Sequence, residues 1–196
     1  GKVVDADVLL AELTQLAENE IVDKGRAEVI EDVKQTSEDV ALGALNYYLL
    51  QVNPFKDMIF NPEESISFNG NTGPYLQYMG ARISSMVRKF NEIEKEYQEI
   101  TFNPTLLILE EERELIKLIS DYPLVVQSAA KELNPSAIST YLYELSRLFS
   151  RYYHDHPIIK GESKELSLSR FTLVKALLQL FRNAYSLLGI PFLELM

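Results

Sequence analysis

The run Asn69-Gly-Asn-Thr-Gly-Pro-Tyr-Leu-Gln-Tyr-Met-Gly-Ala-Arg82, continued by Ile-Ser-Ser-Met-Val-Arg88, constrains the fold more than any other stretch of the chain. Asn69, Gly70, Asn71 and Gly73 favour a turn, Thr72 is a good N-cap, and Pro74 suits the first turn of a helix, where a missing N–H costs nothing. A helix is therefore expected from Gly73 or Pro74. Each residue after Tyr75 advances about 100° around it, which gathers Leu76, Met79, Ile83, Met86, Val87 and Phe90 into an apolar stripe that must face a core. Tyr75, Tyr78, Arg82 and Lys89 make a second stripe beside the first, whereas Arg88 falls well off it. Two rings and two cations on one face suit an unstacked base and its phosphate, since aromatic rings stack on bases and Arg stacks or pairs with phosphate.

Helical spacing and Pro punctuation organise the remainder. Asp7 is expected to cap a helix from Val8 to Val22, and Ser37 a second from Glu38 to Gln51, which Asn53-Pro54 ends. Lys56–Phe60 and Ser65–Phe68 are short and β-prone around Asn61-Pro62-Glu63-Glu64, which predicts a small hairpin. The helix from Gly73 should reach Glu99. Asn103-Pro104 should restart one over Leu106–Ile119, Asp121-Tyr-Pro123 another to Glu132, and Asn134-Pro135 a long one ending at His156-Pro157. After a polar loop from Gly161 to Glu165, a last helix over Leu168–Leu188 should stop at Gly189-Ile-Pro191. The expected fold class is all-α: a helical bundle over residues 73–196, preceded by a small mixed α/β connecting module over 1–72. With 46% apolar residues among 196, a sizeable core is within reach.

The formal charge of −10 opposes RNA binding only on average. Residues 1–39 hold 11 acids against 4 bases, and residues 92–114 hold 8 against 2. The remainder is net positive, and the helix from Tyr75 to Asn91 contains Arg82, Arg88 and Lys89 with no acid. A locally basic face on an acidic body favours one specific partner over indiscriminate nucleic-acid binding. The absence of Cys removes disulfide and thiolate chemistry and is compatible with a cytosolic setting. No apolar run approaches the length of a membrane span, and Gly1-Lys-Val-Val-Asp5 does not read as a signal peptide.

No catalytic constellation emerges. His154-Asp-His156 alternates by two at a helix end, which suits the helix dipole better than a metal. The paired carboxylates sit in runs without an apolar setting to separate their pKa values. Gly70-Asn-Thr-Gly73 at a helix start could offer N–H groups to a phosphate, but there is no P-loop Lys. Of the 11 tyrosines, Tyr141 shares a core stripe with Ile138, Leu142, Leu145, Leu148, Phe149 and Tyr152. Tyr153 lies at its edge, and Arg147 and Arg151 opposite.

Gly-Asn-Thr-Gly-Pro-Tyr-Leu-Gln-Tyr with Arg four residues on resembles the entry to the DALR-type anticodon-binding domain of arginyl-tRNA synthetases, a class I family. Gly43-Ala-Leu-Asn-Tyr-Tyr-Leu-Leu50, Lys56-Asp-Met-Ile-Phe60 and Glu63-Glu-Ser-Ile-Ser-Phe68 are similar to the segment that joins the catalytic and anticodon domains in that family. Leu133-Asn-Pro-Ser136, Tyr141-Leu-Tyr-Glu-Leu145, Phe149-Ser-Arg-Tyr-Tyr-His-Asp-His-Pro157 and Leu187-Leu-Gly-Ile-Pro191 resemble its later helices, and Met196 its terminal residue. The resemblance covers nearly the whole chain. It implies a tRNA-binding groove lined by Tyr75, Tyr78, Arg82, Arg88, Tyr152 or Tyr153, and Met196, to which the stripe on the helix adds Lys89, with tRNA(Arg) as partner and neither DNA nor a membrane. It further implies a cytoplasmic, monomeric parent enzyme that uses ATP with Mg to attach arginine to tRNA, of which this chain would be an inactive C-terminal fragment without cofactor or metal. Met79-Gly80 departs from the small-plus-aromatic or His pair usual before the Ala-Arg. Similar helical domains of other class I synthetases, such as the cysteine enzyme, are an alternative reading, as is a helical protein-interaction module.

Overall fold

The computed structural model describes residues 5–159 and 161–196, so Gly1 to Val4 of the stretch read above as no signal peptide lie outside it. The described residues form α1 (Ala6–Asp23), α2 (Val33–Leu50), the single turn α3 (Pro62–Ser65), α4 (Gly73–Ile93), α5 (Glu110–Lys131), α6 (Ser136–Asp155) and α7 (Lys164–Leu188). Short 3-10 turns at Glu94–Tyr97 and Pro104–Leu106 join α4 to α5. No strand occurs among the described residues. No described helix is long and apolar enough to cross a membrane.

The expected mixed α/β module is thereby corrected: the region before Gly73 is helical with loops. Asn61-Pro62-Glu63-Glu64, read as a hairpin turn, instead starts a helix. The Asn61 side chain accepts from the Glu64 N–H at 3.3 Å, Pro62 occupies the first turn, and Glu63 and Glu64 meet the positive end of the dipole. Two helices begin earlier than expected because an upstream Asp captures the cap. Asp5 accepts from the Asp7 and Val8 N–H groups at 2.9 and 3.3 Å, and Asp32 from the Gln35 N–H at 2.9 Å. Ser37, expected as a cap, is buried inside α2 and donates to the Val33 carbonyl at 2.7 Å, the bond by which a buried helical Ser satisfies itself.

The two helices expected across Asp121-Tyr-Pro123 are one. Pro123 lies inside α5, on its exposed side. Asn103-Pro104 makes only a 3-10 turn, while the Glu112 carboxylate accepts from the Leu109 N–H at 3.1 Å and opens α5. α7 takes in part of the expected loop because Ser163 accepts from the Leu166 N–H at 3.1 Å. The Thr72 cap and the Gly189 stop stand as expected: Thr72 Oγ1 accepts from the Tyr75 N–H at 3.3 Å, and Gly189 is left-handed with φ 63°.

The main core joins Leu76, Met79, Ile83 and Met86 of α4 to the α6 stripe and to Val174, Leu177, Phe181 and Tyr185 of α7, with α5 and α2 at its flanks. A second cluster joins α1 and α2 through Ala17, Val40 and Ala44, closed by Ile66 and by Leu193 of the C-terminal tail. The end of α4 packs by Phe90 on Phe171, ring centroids 3.6 Å apart and nearly parallel.

Candidate nucleic-acid interface

α4 enters the bundle through contacts that only glycine allows. A Cβ on Gly73 would lie 2.3 Å from the Gly43 carbonyl oxygen, so the start of α4 rests directly on the α2 backbone. Asn71 accepts from the Tyr47 hydroxyl at 2.5 Å, and Thr72 donates to the Ser67 carbonyl at 2.5 Å. The Gly70-Asn-Thr-Gly73 turn is thus occupied by packing and does not fit a nucleotide phosphate cradle. Gly80 leaves room for Phe192 and Tyr185, whose rings a Cβ would meet at 3.0 and 3.2 Å. The departure at Met79-Gly80 therefore goes with a C-terminal tail laid closely over α4.

With α4 so placed, its Tyr/Arg stripe faces α6. Tyr75 meets Tyr143 edge to face, centroids 6.0 Å apart, and the Arg82 guanidinium lies over the Tyr153 ring at 4.2 Å. The two contacts advance together along both helices, which therefore run in the same direction. Arg147 sits over Tyr143 at 5.8 Å. All three tyrosines are half-buried, with Arg147 exposed at the rim. The Tyr75 hydroxyl is held above its ordinary pKa of about 10 by burial and secondarily by Tyr143, with Arg147 and Arg82 both opposing the shift. Beyond Arg82 the groove continues past Lys89 to His154 and His156.

The remaining expected residues separate from this line. Tyr78 and Met196 line a neighbouring cavity of about 240 Å³ with Phe68, Lys24 and Arg26. The tail does fold back, but to α1 and Tyr78 rather than to Tyr75. Arg88 turns to the other flank of α4, donating to Ser84 Oγ at 3.0 Å and pairing with Glu194 at 3.4 Å. Arg182 of α7 takes the other Glu194 oxygen at 2.5 Å.

Tyr152 is fully buried and donates to Glu112 at 2.9 Å, so of the Tyr152/Tyr153 pair only Tyr153 reaches the groove. Glu112 also accepts from Arg170 Nε at 2.8 Å, and Arg170 donates to the Pro157 carbonyl at 2.8 Å. This buried group ties the ends of α5 and α6 to α7 beneath the groove. Burial, then the Glu112 charge, pushes the Tyr152 hydroxyl well above its ordinary pKa. Among the described residues no three His, Cys, Asp or Glu side chains converge on a metal site.

Tyr143 and Arg147 were not anticipated as part of this line, because a count around α6 sets Arg147 opposite the core stripe. The readable signal was their i, i+4 spacing, with Ser139, Ser146 and Ser150 at similar angles. Ser139 turns to α2, donating to the Leu50 carbonyl at 3.3 Å, and it is Tyr143 that meets α4, through Tyr75.

The profile of the DALR anticodon binding domain matches residues 76–196. The chain belongs to this family. Its curated relatives include the arginine–tRNA ligases of Treponema denticola, 48% identical over the whole chain, and Treponema pallidum, 50% identical over 99% of it. The chain spans about a third of the length of these relatives, 34% and 33% respectively. Its fold is similar to Thermus thermophilus arginyl-tRNA synthetase, with a TM-score of 0.87 at 29% identity, over 99% of this chain and 32% of that one. The resemblance to arginyl-tRNA synthetases read from the motifs is borne out for the DALR domain. The relatives' names give no support to the cysteine enzyme.

Proposed function

We propose that this chain binds the anticodon arm of tRNA(Arg), and that in a longer protein like its relatives it positions that tRNA for attachment of arginine. The observation that carries this reading is the α4–α6 line itself. Among the described residues Arg82 forms no ion pair, and its guanidinium carbon stands over the Tyr153 ring, 4.2 Å from the centroid. A guanidinium that stands over a ring and pairs with no carboxylate keeps N–H donors for phosphate, and half-buried tyrosines beside it are platforms for splayed bases. We assign base contacts to Tyr75, Tyr78 and Tyr153, phosphate contacts to Arg82 and Lys89, and an apolar contact beside Tyr78 to Met196. Arg88 and Tyr152 support the groove from behind.

ATP and Mg belong in this reading to the longer protein, since the donor set and the packed Gly73 turn here suit neither. Division of the chain near residue 72, a cytoplasmic location and a monomeric longer protein complete the proposal. Titration with tRNA(Arg) and a noncognate tRNA over a salt series tests it. Preference for tRNA(Arg), with affinity falling as salt rises, is expected; no affinity for either RNA would leave a protein-interaction module as the better reading.

A further inference from the structure

Arg82 and Arg147 both stand on tyrosine rings, but differently. Arg82 is close to Tyr153, at 4.2 Å from the centroid, whereas Arg147 is 5.8 Å from the Tyr143 centroid, near the ~6 Å outer limit of a cation–π contact. Arg147 is exposed and among the described residues forms no ion pair, so turning its guanidinium away from the ring forfeits little. Tyr143 also meets Tyr75 edge to face, with ring centroids 6.0 Å apart.

Along α4, Tyr75 and Arg82 are separated by about 10 Å, seven residues at ~1.5 Å each. A base lying on Tyr153 is therefore remote from Tyr143, and the two rings are distinct platforms. Both arginines nevertheless act on the Tyr75 hydroxyl between them, so the line reads as cation, ring, ring, cation, ring from the Arg147 end.

We propose that Tyr143 and Arg147 form a second nucleotide subsite, in which an unstacked RNA base lies on Tyr143 while Arg147 turns to the adjoining phosphate. This rests on the RNA-binding reading above. It extends the interface onto α6, beyond the α4 stripe, and implies that at least two splayed nucleotides are held at once.

The test is tRNA(Arg) binding by the 196-residue chain over a potassium chloride series for Arg147→Ala, Tyr143→Ala and Tyr143→Phe, with Arg82→Ala alongside and melting temperature as the check on folding. Arg147→Ala should weaken binding about tenfold at low salt and reduce the slope of log affinity against log salt by about 0.7 to 0.9, the value of one phosphate contact. Tyr143→Ala should lose about tenfold or more, and Tyr143→Phe should bind nearly as the unaltered chain, since the ring is what stacks. If Tyr143→Ala unfolds, Arg147→Ala decides alone. An Arg147→Ala chain with unaltered affinity and slope, beside an impaired Arg82→Ala chain, overturns the second subsite and leaves the RNA reading standing. Unaltered binding by both arginine variants overturns the two together.

Discussion

Arg82 and Arg88 stand on the same helix, yet their surroundings are opposite. On the α6 side, Arg82 lies over the Tyr153 ring and forms no ion pair among the described residues. On the α7 side, Arg88 and Arg182 converge on Glu194 of the tail, with Ser84 beside them. On one flank of α4, Arg88 thus has a carboxylate within the chain, shared with Arg182, while on the other flank Arg82 pairs with none among the described residues. In the proposed reading, what separates a structural arginine from a recognition arginine is its partner, a carboxylate in one case and an aromatic ring in the other. Arg170 carries the contrast to its limit: it is buried against Glu112 and the Pro157 carbonyl, and its charge is wholly committed to the fold.

The strongest way to break this comparison is at the buried end. Arg170→Ala strands the Glu112 carboxylate without its cation and should cost about 3–5 kcal/mol of stability, read by urea unfolding. A loss below about 1 kcal/mol would mean that Arg170 belongs with the surface pairs. Arg82→Ala should instead leave the melting temperature nearly unchanged and remove about 1.5–3 kcal/mol of tRNA(Arg) binding, the value of a charge-assisted contact. Arg113→Ala is the control, because Arg113 lies on α5 amid Glu110, Glu111, Glu112 and Glu114; equal losses in filter binding would refute a localised basic face.

Alkaline pH probes the buried side as a whole. Burial raises the hydroxyls of Tyr47, Tyr141, Tyr152 and Tyr185 above their ordinary value. Below pH ~10 they are neutral whether the chain is folded or not, and their contribution is fully present. Above it the unfolded chain ionises first, so stability should fall by about 1.4 kcal/mol per pH unit for each such group until the folded-state pKa is reached. Thermal melts at pH 8, 10 and 11 check the sign, and a flat profile would show these hydroxyls to be in contact with water. The smallest effect belongs to Arg88→Ala. Removing one arm of an exposed pair should cost about 0.2–1 kcal/mol of stability and leave the salt slope of RNA binding untouched. A clear loss of slope would move Arg88 into the interface.

The sequence by itself determined the Thr72-capped start of α4, its apolar stripe, the α6 stripe with Tyr141 in the core and the left-handed stop at Gly189, because these depend on helical period and on caps within a few residues. It also carried the family resemblance through the Gly-Asn-Thr-Gly-Pro-Tyr motif. Where two local signals competed, periodicity could not arbitrate. Asn61-Pro62-Glu63-Glu64 reads equally as a hairpin turn and a helix start, and Pro123 reads as a break although it sits inside α5. The partners of the charged and aromatic side chains were beyond it altogether. Glu194 reaches Ser84 and Arg88, and Glu112 reaches Tyr152 and Arg170, across separations of 40 to 110 residues. Only the tertiary structure decided that Tyr152 is core and Tyr153 groove, that Arg88 is clamped and Arg82 is not, and that Tyr143 and Arg147 border α4. Those outcomes depend on which face of one helix is laid against another, and that is set by close approaches such as Gly73 on Gly43 that no local pattern encodes.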